Sequence, residues 1–507
     1  MKDLLIMKFG GTSLGSAERF QVAARLVTEE SLRRPVAIVA SAMSGVTDLL
    51  LSTLRHAQTG YCDGMKASLA ALRVRHEEVC RELLPNGHQD SVSTRLGGLV
   101  DEFERIAVTL AVGGEQPLCL IDEALAIGER LSVELLTQHL KASGTPAVAV
   151  NARDVVVTDD VFGNADPVMP ATRAKALEKI SPILERGAIP VMTGFNGATA
   201  DGRPTTLGRG GSDFSASILA AALDASELCI WTDVDGILSA DPRLVPHAQV
   251  LSEMTYAEAR ELASHGAKVL HPRTLSPLGE KRIPVRCKNS FAPEKPGTKI
   301  VSEAADRRGV RAVASSANVV LLSLELTGLR LSRARLMQRV LSAIACVNAE
   351  LLLLTGSDER RHHRFLVRSE EFERVAQVLE SNLQSEFGSR SLRSIQVDRE
   401  VALLAVVGKG IHDRPALIHR ISAAVSRVGV DIIAIAQDPD SLSTNVVVRQ
   451  DGLERAVRAV HAECGLDMRV AAKVAHFQGG QTPTPNQIVG GVASPHLAWI
   501  EEPSPNP

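Results

Sequence analysis

Aromatic residues are scarce in this 507-residue chain: eleven phenylalanines, two tyrosines and two tryptophans make up 3% of it. So few rings offer no stacking platform for single-stranded nucleic acid, and a formal net charge of −3 offers no basic footprint for a phosphate backbone. The seven cysteines are scattered, with no C-x-x-C pair, and their odd number argues against a disulfide framework. Reduced thiols are expected, with Cys119, Cys229, Cys287 and Cys346 in apolar surroundings that suit core positions. No apolar run reaches the length of a membrane span. Lys8 interrupts the N-terminal apolar run before a signal-peptide core could form. A soluble, cytoplasmic protein that engages neither nucleic acid nor membrane is the expectation.

What is present is enough apolar material for real cores, 45% of residues, on a chain long enough for two to four domains. From residue 1 to about 303, β-rich runs (Leu4–Phe9, Val36–Ala42, Ala147–Val150, Ile189–Thr193, Glu227–Thr232, Ile283–Lys288) alternate with helical patterns. That alternation predicts an α/β fold with a mostly parallel sheet covered by helices on both faces. In such sheets, ligands bind beyond the carboxyl ends of strands, where Lys8, Ser41, Arg209 and Asp233 are expected. Between about residues 304 and 475 the pattern changes to two rounds of strand–helix–strand–strand–helix, at about 318–385 and 401–465. These predict two ferredoxin-like α+β units. Residues 476–507, which include GGQTPTPNQIVGG and EEPSPNP, cannot bury a core and predict a disordered Pro/Gly-rich tail.

Two glycine-rich strand-to-helix turns stand out. KFGGTS (Lys8 to Ser13) precedes a helix opened by Ser16, and TTLGRGGSD (Thr205 to Asp213) precedes a helix with Ile218, Leu219, Ala222 and Leu223 at apolar spacing. Glycines allow backbone N–H groups to approach an anion, and a helix N-terminus supplies further donors. Arg209 adds a donor fork suited to a carboxylate. Neither turn is a P-loop or a G-x-G-x-x-G fingerprint. An ordinary strand–turn–helix junction would look the same, so either turn alone leaves the function open.

The two turns occur with SAMSGVTD (Ser41 to Asp48), LAIGERLS (Leu125 to Ser132), WTDVDGILSADPR (Trp231 to Arg243) and GAKVLHPRT (Gly266 to Thr274). Through these six motifs in one order, the chain from Met1 to about Cys464 resembles the aspartokinase family. The long helical insertion between about Thr59 and Pro117 and the WTDVDGI segment resemble in particular the kinase half of the two-function aspartokinase–homoserine dehydrogenases. The dehydrogenase half is expected to be missing. The resemblance implies an amino-acid-kinase fold followed by paired ACT domains, and phosphorylation of L-aspartate by ATP with Mg²⁺. That reaction is the first step towards lysine, threonine and methionine. It also implies a homodimer or homotetramer and an amino-acid effector at the ACT units.

On the same resemblance, Lys8 and Asp213 are the catalytic pair. Lys8, Phe9, Gly10 and Gly11 meet the phosphates. Arg209 takes the α-carboxylate of aspartate and Glu129 its α-ammonium group, with Thr47, Phe195, Gly210, Gly211 and Ser212 completing the substrate pocket. Thr232, Asp233, Leu238, Arg243, Lys268 and Val269 form the nucleotide side, and no residue is assigned directly to a metal. Ordinary explanations compete at several positions: an N-cap for Asp213, an exposed charge pair with Arg130 for Glu129, a buried turn aromatic for Phe195. His271 reads as a structural residue of its turn.

Two departures from the family pattern carry expectations of their own. Leu238 stands where relatives often have tyrosine, which puts a nucleotide contact in doubt. In the first ACT unit, Arg360, Arg361, His362, His363 and Arg364 replace expected small residues, and in the second, Pro439 removes a backbone donor. Feedback by lysine is therefore expected to be weakened or altered. The competing readings are a catalytically weak amino-acid sensor and a kinase for another amino acid such as glutamate.

Overall fold

A computed structural model of the chain describes residues 3–112, 117–267, 270–304, 309–326, 333–347, 349–357, 362–384, 392–411, 416–437 and 442–467. Lys268, Val269, Arg360, Arg361, Pro439 and the expected tail lie outside the described residues.

The first part of the chain runs β1 (Leu5–Phe9), α1 (Ala17–Ser31), β2 (Val36–Ala40), α2 (Val46–Gln58), α3 (Cys62–Leu83), α4 (Asn86–Val112), α5 (Leu118–Ala142) and β3 (Ala147–Val150). Then follow β4 (Val157–Thr158), α6 (Met169–Lys179), α7 (Ser181–Glu185), β5 (Ile189–Thr193), β6 (Asn196–Thr199), β7 (Pro204–Thr206), α8 (Gly211–Ala222) and β8 (Glu227–Thr232). This first part closes with β9 (Glu253–Thr255), α9 (Tyr256–Ser264), α10 (Pro272–Lys281), β10 (Val285–Asn289) and β11 (Thr298–Val301).

An eight-stranded sheet in the order β3-β5-β2-β1-β8-β10-β11-β9 organises this half. Every pairing is parallel except β10 with β11. β1 is buried on both faces, which is why it reads as an unbroken apolar run. Leu5, Met7 and Phe9 pack with α1 to α5, while Leu4 and Ile6 pack on the opposite side with α8. Ser16 caps α1 by accepting from the Arg19 N–H, as its sequence position predicts. β4, β6 and β7 form a separate three-stranded sheet. Arg209 therefore follows β7 of that small sheet and not a strand of the main one, because the hairpin of β6 and β7 leans over the carboxyl edge to deliver it.

The second part comprises β12 (Ala312–Ser316), β13 (Val319–Leu326), α11 (Arg333–Cys346), β14 (Leu353–Ser357), β15 (His362–Arg368), α12 (Phe372–Asn382) and β16 (Leu392–Asp398). It continues with β17 (Val401–Val407), α13 (Ala416–Arg427), β18 (Ile432–Gln437), β19 (Ser443–Arg449) and α14 (Leu453–Glu463). Its two four-stranded sheets, β14-β15-β13-β16 and β12-β17-β19-β18, are antiparallel throughout. The second sheet takes its edge strand, β12, from ahead of the first unit. The arrangement is nested, whereas two successive rounds would be independent. Val319, Leu321 and Leu366 of the first sheet share an apolar cluster with Val401, Leu403 and Val447 of the second. Cys229 and Cys287 are buried as expected and Cys119 is half-buried. Cys346 departs from the expectation: as the last residue of α11 it is exposed.

Among the described residues, no helix is long and apolar enough to cross a membrane.

Candidate active site

The ends of β1, β2 and α5 and the start of α8 surround a cleft of about 620 Å³. Lys8, Gly11, Thr47, Glu129, Phe195, Arg209, Gly210, Gly211, Ser212 and Asp213 all line it. Residues from five segments up to 205 positions apart thus converge on one space.

Lys8 is the penultimate residue of β1 and is only 7% exposed. Such a buried ammonium needs a partner, and Asp213 Oδ1 lies 2.6 Å from its Nζ. The expected glycine turn follows. Gly10 donates its N–H to the Trp231 carbonyl at 3.2 Å, and Ser44 donates its own to the Gly11 carbonyl at 3.0 Å. A Cβ at Gly11 would sit 2.9 Å from the Ala42 carbonyl, so only glycine lets the two loops meet. Phe9 is fully buried and, like Gly10, does not line the cleft; its ring stacks on Trp231 with centroids 6.3 Å apart.

The helix cap at α8 is Gly210, in the left-handed region at φ 70°, and not Asp213, which lies in the first turn. This removes the capping explanation for Asp213 and leaves its ion pair with Lys8. The start of α8 also turns its free N–H groups and positive dipole end towards the cleft. Phe195 takes φ 71°, a region costly for an aromatic residue, and its N–H is held by Ser215 Oγ at 2.9 Å. Its ring packs against Gly211, where a Cβ would come within 2.7 Å.

Glu129 is not the exposed partner of an ordinary charge pair. It is 3% exposed and burial pushes its carboxyl up to about 8, against hydrogen bonds from backbone N–H groups and the nearby Lys8 charge. Its Oε2 is buried without a hydrogen-bond partner. Arg130 turns away and pairs with Glu102. A cleft-lining carboxylate with an open oxygen suits an incoming cation.

Arg209 is arranged differently. Its side chain is 74% exposed, and Nη1 reaches both carboxylate oxygens of Glu370, between β15 and α12 of the first regulatory unit, at 2.7 and 2.9 Å. His271 caps α10 through its Nδ1, which accepts from the Arg273 N–H. It also packs on Gly210, where a Cβ would meet the His271 Cβ at 2.8 Å.

Of the nucleotide-side residues, the described ones, Thr232, Asp233, Leu238 and Arg243, do not line this cleft. Thr232 and Asp233 follow the carboxyl end of β8 and hydrogen-bond to each other at 3.1 Å. Leu238 is half-buried and bridges to Val250, and Arg243 is held by Asp241 at 2.6 Å.

Two residues that shape the cleft, Asp122 in its lining and Gly128 behind it, escaped the sequence reading. Asp122 is buried and accepts from the Gly163 N–H, the Thr206 N–H and the Thr206 hydroxyl, each at 2.8 Å, so it ties two cleft loops to α5. Burial raises its carboxyl above the usual range. A lone aspartate in an apolar helical pattern was the available signal. Gly128 sets how closely α5 approaches the Ser41–Asp48 loop: a Cβ there would lie 2.8 Å from the Ala42 Cβ.

Residues 3–289 match the amino acid kinase family, and residues 404–464 match the ACT domain. The chain is 34% identical over 369 residues to the lysine-sensitive aspartokinase 3 of Escherichia coli, covering 71% of this chain and 77% of that one. It is 31% identical over 464 residues to the chloroplastic bifunctional aspartokinase/homoserine dehydrogenase 1 of Arabidopsis thaliana, covering 90% of this chain. The chain spans about half the length of the bifunctional relatives it matches. Among solved structures it is similar to E. coli aspartokinase III in complex with aspartate and ADP in the R-state. There the TM-score is 0.80 at 29% identity, covering 91% of this chain and 99% of that one. Against the lysine and aspartate complex in the T-state, the TM-score is 0.73 at 28% identity and the same coverage.

Proposed function

The chain belongs to the aspartokinase family, and from that premise and the charge pattern of the cleft we propose that it transfers the γ-phosphoryl group of ATP to the side-chain carboxylate of L-aspartate, giving 4-phospho-L-aspartate. The observation that carries the proposal is the open Oε2 of buried Glu129 in the same cleft as Arg209 and the Lys8–Asp213 pair. An amino acid entering this cleft meets a carboxyl that its ammonium group can draw into the ionised form and a cation for its α-carboxylate. Its side chain is left towards Lys8.

The attacking carboxylate has an ordinary pKa of about 3.9 and is ionised at neutral pH. The step needs no general base. The obstacle is repulsion between two anions, and positioning together with cationic charge removes it. Lys8 supplies that charge where phosphate oxygens gather it, and the glycine turn and the start of α8 supply N–H donors. Asp213 holds the Lys8 ammonium in place. A Mg²⁺ carried on the nucleotide phosphates needs one or two protein carboxylates at most. Asp213 is the cleft carboxylate that would hold it, and the ion would neutralise phosphate charge.

The kinase reading extends to assembly and regulation. A homodimer or homotetramer, measurable by light scattering, is the proposed assembly. Feedback by lysine is proposed to be weak. His363 is buried, and its ring fills the space beside Gly356, while Arg364 donates from Nη1 to the Ile433 carbonyl of the second unit at 3.2 Å. A bulky ring and a guanidinium thus occupy the stretch where the family resemblance leads one to expect small residues around an ammonium-bearing effector.

A coupled ADP-release assay offering aspartate, glutamate or buffer tests the reading. ATP turnover with aspartate alone is expected. Turnover with glutamate in its place would reassign the substrate, and none with either would make the chain a sensor.

A further inference from the structure

A second cleft, of about 400 Å³, lies between α1 and the β8–β10 side of the main sheet and shares no lining residue with the first. Its apolar walls are Leu5, Met7, Leu26, Cys229, Pro293 and Pro296. Its charged lining is unusual for a sheet face: Arg33, Arg34, Arg286 and Lys288 against Glu29, Glu30 and Glu227, a surplus of one positive charge. Glu227 is taken up between Arg34 at 2.9 Å and Arg286 at 3.0 Å, and Glu30 lies beside Arg33 and Arg34. Lys288 has no carboxylate partner among the described residues. Its Nζ stands 5.0 Å from the centroid of the Trp231 ring. Trp231 is 4% exposed, and its indole Nε1 is buried without a hydrogen-bond partner. A buried donor left unpaired is costly, and native structures rarely keep one that nothing fills.

We propose that this cleft binds a small organic monoanion with an apolar body, its carboxylate taken by the Lys288 ammonium and the Trp231 indole N–H. Leu26, Pro293 and Pro296 add carbon to the lining that an organic body can cover and a bare inorganic anion cannot. The site communicates with the catalytic turn through one residue. The Trp231 carbonyl accepts from the Gly10 N–H at 3.2 Å and from Ser13 Oγ at 3.3 Å, and its ring stacks on Phe9.

The chain has two tryptophans, Trp231 and Trp499. In the full-length Trp499→Phe variant, Trp231 is the sole indole reporter, so binding is read without reference to phosphoryl transfer and stands or falls apart from the kinase reading. Titration with 4-methyl-2-oxopentanoate should give a saturable change in Trp231 emission. In the Lys288→Met background the midpoint should rise at least tenfold, and Lys288→Arg should restore it to within a few-fold. Circular dichroism of both variants separates loss of the site from loss of the fold. No saturable change up to tens of millimolar, or an equal midpoint in folded Lys288→Met, overturns the proposal. So does inorganic phosphate binding as tightly as the organic acid. An emission change that follows protein concentration without ligand would assign the cleft to contact between copies and overturn it as well.

Discussion

The two glycine turns place opposite kinds of cation in one cleft. In the first, Lys8 is buried and locked to Asp213 at 2.6 Å. In the second, Arg209 is 74% exposed and its partner, Glu370, belongs to a different module. Lys8 is a β-strand residue whose backbone is fixed by β2 on one side and β8 on the other. Arg209 rides on a turn between glycines at φ 74° and 70°. A rigid, dry cation suits charge that develops on a transferring phosphoryl group, because it needs no reorganisation when the reaction occurs. A mobile, wet one suits capture of a substrate that must arrive and leave. On the proposed function the pair would divide chemistry from recognition, and that division can be broken experimentally.

The largest effect is expected at Lys8. Lys8→Ala should lower kcat by about 10²- to 10³-fold, the range for removing one preorganised charge-stabilising donor. The variant leaves Asp213 buried without its cation, so stability should fall too, by about 3–5 kcal/mol if the pair is treated as buried. Activity per folded molecule, with the folded fraction from urea denaturation, separates the two losses. Preserved activity per folded molecule would make Lys8 a structural cation and end the contrast with Arg209.

Arg209→Leu comes next. It should raise KM for aspartate by one to two orders of magnitude with kcat changed far less, since a recognition contact is lost from bound substrate and transition state alike. ATP binding, followed by equilibrium titration, should be unaffected. An unchanged KM would remove Arg209 from the substrate site.

Glu129 supplies the third test, through protons. Its folded pKa of about 8 lies above the value of 4.5 for an unburied glutamate. Between those two pH values the folded protein holds a proton that the unfolded chain releases, so the unliganded fold loses stability as pH rises through this window. An ammonium group beside the carboxylate favours its ionised form. Aspartate binding near pH 7 should therefore release most of one proton, and affinity should strengthen from pH 6 to 8. Calorimetry in two buffers of different ionisation enthalpy measures the release directly. Glu129→Gln should abolish it, and proton release that persists in that variant would exclude Glu129 as its source.

Much of this architecture was legible because its signals are local. The continuous apolar run of β1 was readable to within one residue, and the Ser16 cap and the second-unit strands Val401–Val407 and Ser443–Arg449 to the residue. Ten of the proposed site residues share one cleft because each sits beside a glycine turn or in a short motif. What was not legible depends on distant pairing. Ala312–Ser316 is short, and nothing nearby announces that it pairs with Val401–Val407, so the nesting of the two units was hidden. Leu392–Asp398 alternates too many polar residues to be read as a strand before its pairing with Val319–Leu326 is known. The burial of Glu129 was equally invisible, since Arg130 beside it suggests a surface pair. Only the packing of α5 under the Ser41–Asp48 loop reveals it.

The smallest effect is expected at Glu370, and it bears most directly on what exposure means for Arg209. The Arg209–Glu370 contact has good geometry, with both carboxylate oxygens within 2.9 Å of Nη1, yet its side chains are 74% and 59% exposed. Ion pairs this wet are worth about 0–1 kcal/mol. If Glu370 and the substrate carboxylate compete for one guanidinium, Glu370→Ala should lower KM for aspartate by no more than about fivefold, which is 1 kcal/mol expressed as a ratio. The kcat should stay constant, because the competition ends once substrate is bound. Salt sharpens the test: screening weakens an exposed pair, so the KM values of the parent and the variant should converge as ionic strength rises from about 0.01 to 1 M. A rise in KM on removing Glu370 would reverse the logic. The regulatory unit would then be holding Arg209 in its substrate-ready position, and the exposed turn would depend on its neighbour for the order that Lys8 takes from its own strand.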